Sequence, residues 1–410
     1  MKNYADRKTS PDSEIEQGRP FQSALRDAAV FILTAMSIVF FGLIVLYSTS
    51  YSVQGSSFFY KQMMWVGIGS VGFAAVIFFG YRAISNASIF LLLICAAMLL
   101  AALRFKAING AHRWLILGPI SLQPSELFKV VLVLFMARFL SKRTREIENA
   151  SFKKVMLPCG LIVGPVILLV MAGKDLGTTV LLLTLFFAML FVAGVRLRYI
   201  LPIFLLGPPL LFELIRRFSP ERLSRITSFR NPELFQKTDG YQLWNSLLAL
   251  GSGNWFGVGF TESRLKLKYL PEAHTDFILA IVGEELGFVA ILAVLTAYLI
   301  LLYAGARIAC KASSRQGMLV AFGMVSFIGL QAFINVGVVC GALPTKGMPA
   351  PMISYGGSSL VACMLAVACV FSVALDNSYP GYAENLRAGA KSLLFPFLKK
   401  KEAGKGKKKS

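Results

Sequence analysis

Apolar residues along this chain come in long unbroken runs separated by short polar connections. The runs cover about 28–47, 60–79, 87–103, 127–140, 155–172, 176–194, 197–215, 276–303, 317–340 and 352–375. Most approach the ~20 residues that carry a helix across ~30 Å of hydrocarbon. A transmembrane barrel would need short alternating segments, which are not seen. The pattern predicts an all-α polytopic membrane protein of about ten transmembrane helices, with both termini on one side. The polar stretches divide the rest. Residues 1–27, rich in Ser, Pro and charge, read as a disordered cytoplasmic N-terminus. Residues 28–377 form the transmembrane domain, with a long extracytoplasmic loop at about 216–275 between helices 7 and 8, and 378–410 form a basic cytoplasmic tail. No small-residue cleavage pattern follows the first run, so it reads as a retained helix and not a signal peptide.

Composition agrees: 56% of the residues are hydrophobic and 15% charged, with a mean hydropathy of +0.65. The net charge of +21 would suggest nucleic acid in a soluble chain. Here the cations flank apolar runs, as they do on the cytoplasmic side of a membrane, and no nucleic-acid partner is expected. The set includes Arg82, Lys142, Arg143, Arg196, Arg307, Lys311 and the Lys-rich end of the tail, which places both termini in the cytoplasm. The six cysteines include no C-x-x-C pair, and His112 and His274 are the only histidines. That argues against a disulfide framework and a zinc site. The 216–275 loop holds nine Lys/Arg against five acids. Loops this long obey the charge rule poorly, so its cations suit an anionic substrate or lipid headgroups.

This topology collects unusual polar residues at the outer face: Arg113, Glu126, Lys129, Lys174, Asp175, Asp276 and Lys346. Asp276 follows His274 and Thr275 at the edge of an apolar run. Partial desolvation would make its carboxylate a general base, but aspartate is also a favoured N-cap, and position alone favours the cap. Glu284 and Glu285 lie about 12 Å further along the same helix, where ionisable groups mark a function or a buried ion pair. Glu126 and Lys129 are i, i+3 neighbours, equally readable as a structural ion pair or as part of a site. Lys174-Asp175 reads as a turn and cap. Tyr241, Trp244, Leu247 and Leu248 fall at helical spacing, which predicts an amphipathic interfacial helix. The glycines of 251–259 suit a close backbone approach to a ligand, a sharp turn or, better on spacing alone, a flexible loop. Gly67-Ile-Gly-Ser-Val-Gly72 matches a dinucleotide-binding string, but inside a membrane helix it reads as close helix packing.

Four stretches resemble a known family: 109–129 (NGAHRWLILGPISLQPSELFK), 239–253 (DGYQLWNSLLALGSG), 269–287 (YLPEAHTDFILAIVGEELG) and 343–360 (LPTKGMPAPMISYGGSSL). They look like the signatures of the shape, elongation, division and sporulation (SEDS) family of bacterial cell-wall polymerases, most like its division branch. The resemblance runs from about Ala28 to Asn377. It implies an inner-membrane peptidoglycan glycosyltransferase at the division septum that polymerises lipid II on the outer face. Asp276 matches the family's essential aspartate, the proposed base for the acceptor 4-hydroxyl. Arg113, Glu126, Lys129, His274 and Lys346 are expected to bind substrate, and Glu126, Lys129 and Lys346 match family positions important for the site. Cations of the long loop would steady the pyrophosphate leaving group, and a divalent cation (Mg or Mn) could share that task. The implied partners are a class B penicillin-binding protein transpeptidase, other divisome proteins and membrane lipids. Two alternatives share the fold: a lipid II flippase and a non-catalytic divisome scaffold. The chain departs from the family at Lys174, where a proline is usual, and at Asn254-Trp255, where small or aliphatic residues are.

Overall fold

The computed structural model describes residues 11–54, 57–105, 110–118, 120–149, 152–202, 228–238, 240–267, 269–345 and 347–394, with isolated positions between 205 and 213. Its helices are α1 (Pro11–Gln54), α2 (Ser57–Phe79), α3 (Tyr81–Asn86), α4 (Ser88–Ala102), α5 (Pro124–Ser141), α6 (Thr144–Glu148), α7 (Met156–Ala172) and α8 (Leu176–Val192). They continue as α9 (Tyr241–Ser252), α10 (Ile278–Cys310), α11 (Arg315–Val339), α12 (Gly357–Ser378) and α13 (Tyr382–Leu394). Nine of the ten apolar runs coincide with described helices. The seventh, 197–215, is helical at 197–202 and otherwise only partly described. Five described helices are long and apolar enough to cross a membrane: 23–50 within α1, α2, α10, α11 and α12. The chain is a multi-pass membrane protein.

The main departures from the expected elements lie at element ends. α1 extends back to Pro11, so the polar stretch read as disordered is helical from there. α5 starts at Pro124, earlier than the apolar run, because proline suits the first helical turn. That start places Glu126 and Lys129 in the opening turns of the helix. A short hairpin, Leu115–Leu117 paired antiparallel with Ile120–Leu122, interrupts the all-α plan.

α5 is the axis of the bundle, buried at nearly every position from Pro124 to Leu140. α11 and α12 pack on it, and both are largely buried themselves. Around them α1, α2, α4, α7 and α10 turn apolar side chains outward: Leu33, Met36 and Phe40 on α1, and Leu161 and Leu168 on α7, are exposed. Their three-, four- and seven-residue spacing is one helical face, and in a membrane protein that face meets lipid. A Cβ on Gly72 would stand 3.0 Å from Leu365, and one on Gly69 would meet Met364. Gly69 and Gly72 of the α2 string therefore serve contact with α12, as the helix context predicted, while Gly67 faces open space.

One end of the bundle carries Asp27 bound by Arg307 (3.1 Å) and Lys311 (2.6 Å), and Asp376 bound by Arg82 (2.7 Å). These pairs fasten α1 to α10, and α3 to α12. The opposite end carries Asp276.

Candidate active site

Asp276 lies in the turn 271–277 that precedes α10. The N-cap of α10 is Phe277, and no side chain caps the helix. The competing reading of Asp276 as a helix cap is therefore not realised. Its backbone is held from α11: Asn335 Nδ2 donates to the Asp276 carbonyl (2.8 Å) and to that of Met348 (2.7 Å). One buried amide thus ties the Asp276 turn to the 347–354 segment. That segment is held twice more, by Ser354 Oγ donating to the Thr275 carbonyl and by Tyr355 N donating to the His274 carbonyl (2.9 Å). Gly347 lies flat against the carboxylate, since a Cβ there would stand 3.1 Å from Asp276 Oδ2.

The half-buried carboxyl of Asp276 is pushed up to about 7. Loss of solvent is the main cause, Glu272 and Asp175 add to it, and the Arg113 guanidinium opposes it. An aspartate with that affinity is a working base near neutral pH. Arg113 thus shares the electrostatic neighbourhood of Asp276, and its Nε is buried without a hydrogen-bond partner. His274 stacks on Phe58 (4.5 Å between centroids, 18° between planes), with Tyr355 beside both rings. Burial lowers its proton affinity, with Glu272 opposing, so the ring is neutral at pH 7.

Behind this face stands a second polar group. Lys129 Nζ donates to Glu126 Oε1 (2.7 Å) and Gln331 Oε1 (2.9 Å), over the ring of Phe327. Gln331 Nε2 in turn donates to the Pro349 carbonyl (3.0 Å) and to Ser359 Oγ (3.1 Å). Lys129 has no exposed surface. The Glu126–Lys129 pair is an internal fastening of α5 to α11, with Glu126 Oε2 left unpartnered. Asp175 is the N-cap of α8, accepting from Thr178 N (3.2 Å), and its other oxygen accepts from Gln123 Nε2 (2.9 Å) and Ser125 Oγ (3.2 Å). The turn-and-cap reading of Lys174-Asp175 fits that geometry. Lys174 itself has φ 62, a left-handed backbone that proline's ring cannot reach.

Two expectations change. Lys266, one of the loop cations assigned to the leaving group, is buried and bound to Glu285 (2.6 Å), Ser48 Oγ (3.1 Å) and the Thr261 carbonyl (2.7 Å). It neutralises a carboxylate that would otherwise be buried alone and is not free for a phosphate. Within 251–259, Gly253 and Gly257 pack against the backbone of 283–286 and form no loose loop, while Gly251 is exposed. Val258 N and Gly259 N donate to the Glu284 and Glu285 carbonyls (2.9 and 3.1 Å), while Phe288 N and Val289 N donate to those of Asn254 and Trp255 (2.9 and 3.2 Å). Gly287, at φ 79, breaks α10 where this loop meets it. Lys346 and Lys268 lie outside the described residues. Among the described residues no three His, Cys, Asp or Glu side chains converge as a metal-holding group. Sequence reasoning missed Gln331 and Asn335, although two amides four residues apart in an apolar helix were a legible signal.

The family model described as "Cell cycle protein" (FTSW_RODA_SPOVE) matches residues 28–379. The chain is 36% identical over 359 residues to stage V sporulation protein E of Bacillus subtilis, covering 85% of this chain and 97% of that one. It is 35% identical over 353 residues to a probable peptidoglycan glycosyltransferase FtsW of Geobacter metallireducens, covering 84% and 93%. Among solved structures it is similar to a chain of a peptidoglycan synthase complex that coordinates polymerization and crosslinking. That match has a TM-score of 0.72 and 26% identity, and it covers 85% of this chain and 98% of that one.

Proposed function

The chain belongs to the FtsW, RodA and SpoVE family of cell cycle proteins, and we propose that it is a peptidoglycan glycosyltransferase that polymerises lipid II with Asp276 as general base. Asp276 takes the proton of the acceptor sugar's 4-hydroxyl. The oxygen then bonds to the donor's anomeric carbon from the face opposite the pyrophosphate. The bond from that carbon to the phosphate oxygen breaks, its electron pair leaves with the undecaprenyl pyrophosphate, and the configuration inverts. Arg113 supplies positive charge beside the base. Asn335, Gln331 and the 347–354 segment hold the turn so that the carboxylate meets the hydroxyl without reorganising.

The observation that carries this reading is a half-buried carboxylate in a turn, unused as a cap, whose affinity for a proton is raised to about 7. A flippase needs a polar path across the bilayer. The deeper carboxylates it would use, Glu284 and Glu285, are both consumed, by Ser263 and the 264–265 amides and by Lys266 with Ser48. The described residues build no metal site of their own, so Mg²⁺ or Mn²⁺ would take its ligands largely from the substrate's pyrophosphate. The partner is a class B penicillin-binding protein, and the Asp276 end faces outward at the septum with both termini in the cytoplasm. The test is lipid II polymerisation by the protein with its transpeptidase, wild type against Asp276→Asn. Glycan strands from the first and none from a folded second are expected. Equal polymer from both would overturn the assignment.

A further inference from the structure

α10 supplies a ruler for the membrane. From Ile278 to Gly287 it is buried on nearly every side, wrapped by α9 and by the loop that follows it. From Phe288 onward it has two faces: Phe288, Leu292, Leu299 and Tyr303 are exposed, while Val294, Tyr298 and Leu301 are buried. The lipid-facing stretch thus runs from Phe288 to Arg307, which with Tyr303 forms the polar-aromatic terminus typical of a membrane boundary. At 1.5 Å per residue that is about 28 Å, the thickness of the hydrocarbon core.

At the Phe288 edge of this stretch lies the 254–260 turn. Trp255 is 66% exposed, Phe256 83% and Phe260 42%, and no charged residue occurs between Gly251 and Thr261. The Trp255 ring meets Phe288 edge-on at 5.5 Å, so its apolar surface continues the lipid-facing stripe of α10. The turn is not loose. Four backbone hydrogen bonds join it to 284–289, and Ser263 and Lys266 fasten its far side to Glu284 and Glu285. Aromatics held rigidly in a charge-free turn, level with the start of a lipid-facing helix, have the chemistry of an interfacial anchor.

We propose that the 254–260 turn is seated in the outer-leaflet boundary, with Trp255 and Phe256 among the upper acyl chains of the phospholipids. The anchor fixes the height of the catalytic turn. Asp276 stands twelve residues before Phe288, which at 1.5 Å per helical residue lifts it up to about 18 Å above that boundary, a reach greater than the roughly 5–8 Å of the headgroup layer. If the glycosyltransferase reading holds, that is the level of sugar and not of the isoprenoid chain. The anchoring itself stands independently of that reading.

The test is tryptophan fluorescence of the full chain in nanodiscs of phosphatidylcholine brominated at carbons 6 and 7, with aqueous iodide as the competing quencher. The signal lost in Trp255→Phe isolates Trp255 from Trp65, Trp114 and Trp244. The proposal expects brominated lipid to quench that component at least twofold and iodide to leave it nearly unchanged. Phe256→Trp in the Trp255→Phe background should behave in the same way. Quenching by iodide without quenching by bromolipid places the turn in water and overturns the proposal. Resistance to both means that protein covers the turn, and overturns it equally.

Discussion

Asp276→Asn keeps the size of the side chain and removes its basic oxygen. General-base catalysis contributes roughly 10²–10⁴-fold, so the variant should lose about 3–5 kcal/mol of transition-state stabilisation. The raised proton affinity fixes the pH dependence. The carboxyl is protonated and inactive well below about 7, so the wild-type rate should rise about tenfold per pH unit up to that value and then level. Stability runs the other way. A carboxyl raised from 3.8 to about 7 binds a proton in the folded chain that the unfolded chain has already released. Its favourable contribution is therefore complete below about pH 4 and lost as pH rises through 7. Three units are worth about 4 kcal/mol, and solvent at the half-buried oxygens reduces this to about 2. Asn carries no such cost, so the variant should melt at or above the wild-type temperature at pH 8 while making no glycan. The assay is polymer length from lipid II across pH, with melting curves of both proteins in the same detergent. A rate flat between about pH 5 and 8, or an Asn variant within tenfold of wild type, refutes the assignment.

Four further changes probe the frame. Lys266→Met leaves Glu285 buried without its cation and should cost about 3–5 kcal/mol. Adding Glu285→Gln in the same chain should restore most of the melting temperature. Gly287→Ala forces a side chain into a left-handed backbone against Gly257, at about 1–2 kcal/mol or more, and should raise amide exchange across 253–260. Lys174→Pro cannot keep φ 62 and should lower the melting temperature by disrupting the turn that lets Asp175 cap α8, about 1 kcal/mol for the cap alone. Lys174→Gly should be neutral or stabilising. Asn335→Leu strips the donor from the Asp276 and Met348 carbonyls, about 1–3 kcal/mol for each, and polymerisation should fall in parallel.

Nine of the helices were legible because each contains a long, mostly apolar run, and hydropathy depends on composition more than on partners. The residue types near Asp276 were legible too, as charges placed where lipid was expected. Their working relations were not, because those depend on backbone that periodicity does not report. Position alone favoured Asp276 as a cap, yet α10 starts two residues later, so the carboxylate that remains is both desolvated and unused.

Glu284 and Glu285 show the same limit from the other side. Counted along the chain they lie deep in a helix and suggest a polar path. In the fold, the loop from Gly253 to Lys266 folds back over them, its glycines allowing backbone contact with the broken turn at Gly287. Both charges are satisfied before the lipid-facing stretch begins at Phe288. Depth in sequence and depth in the membrane therefore differ by the length of Ile278–Gly287. A second difference follows for the loop cations. Lys266, counted from sequence with the charges meant for a phosphate, neutralises Glu285. The excess positive charge that the loop leaves free is smaller than its composition suggests, and Arg113 is the cation that acts on the Asp276 carboxyl.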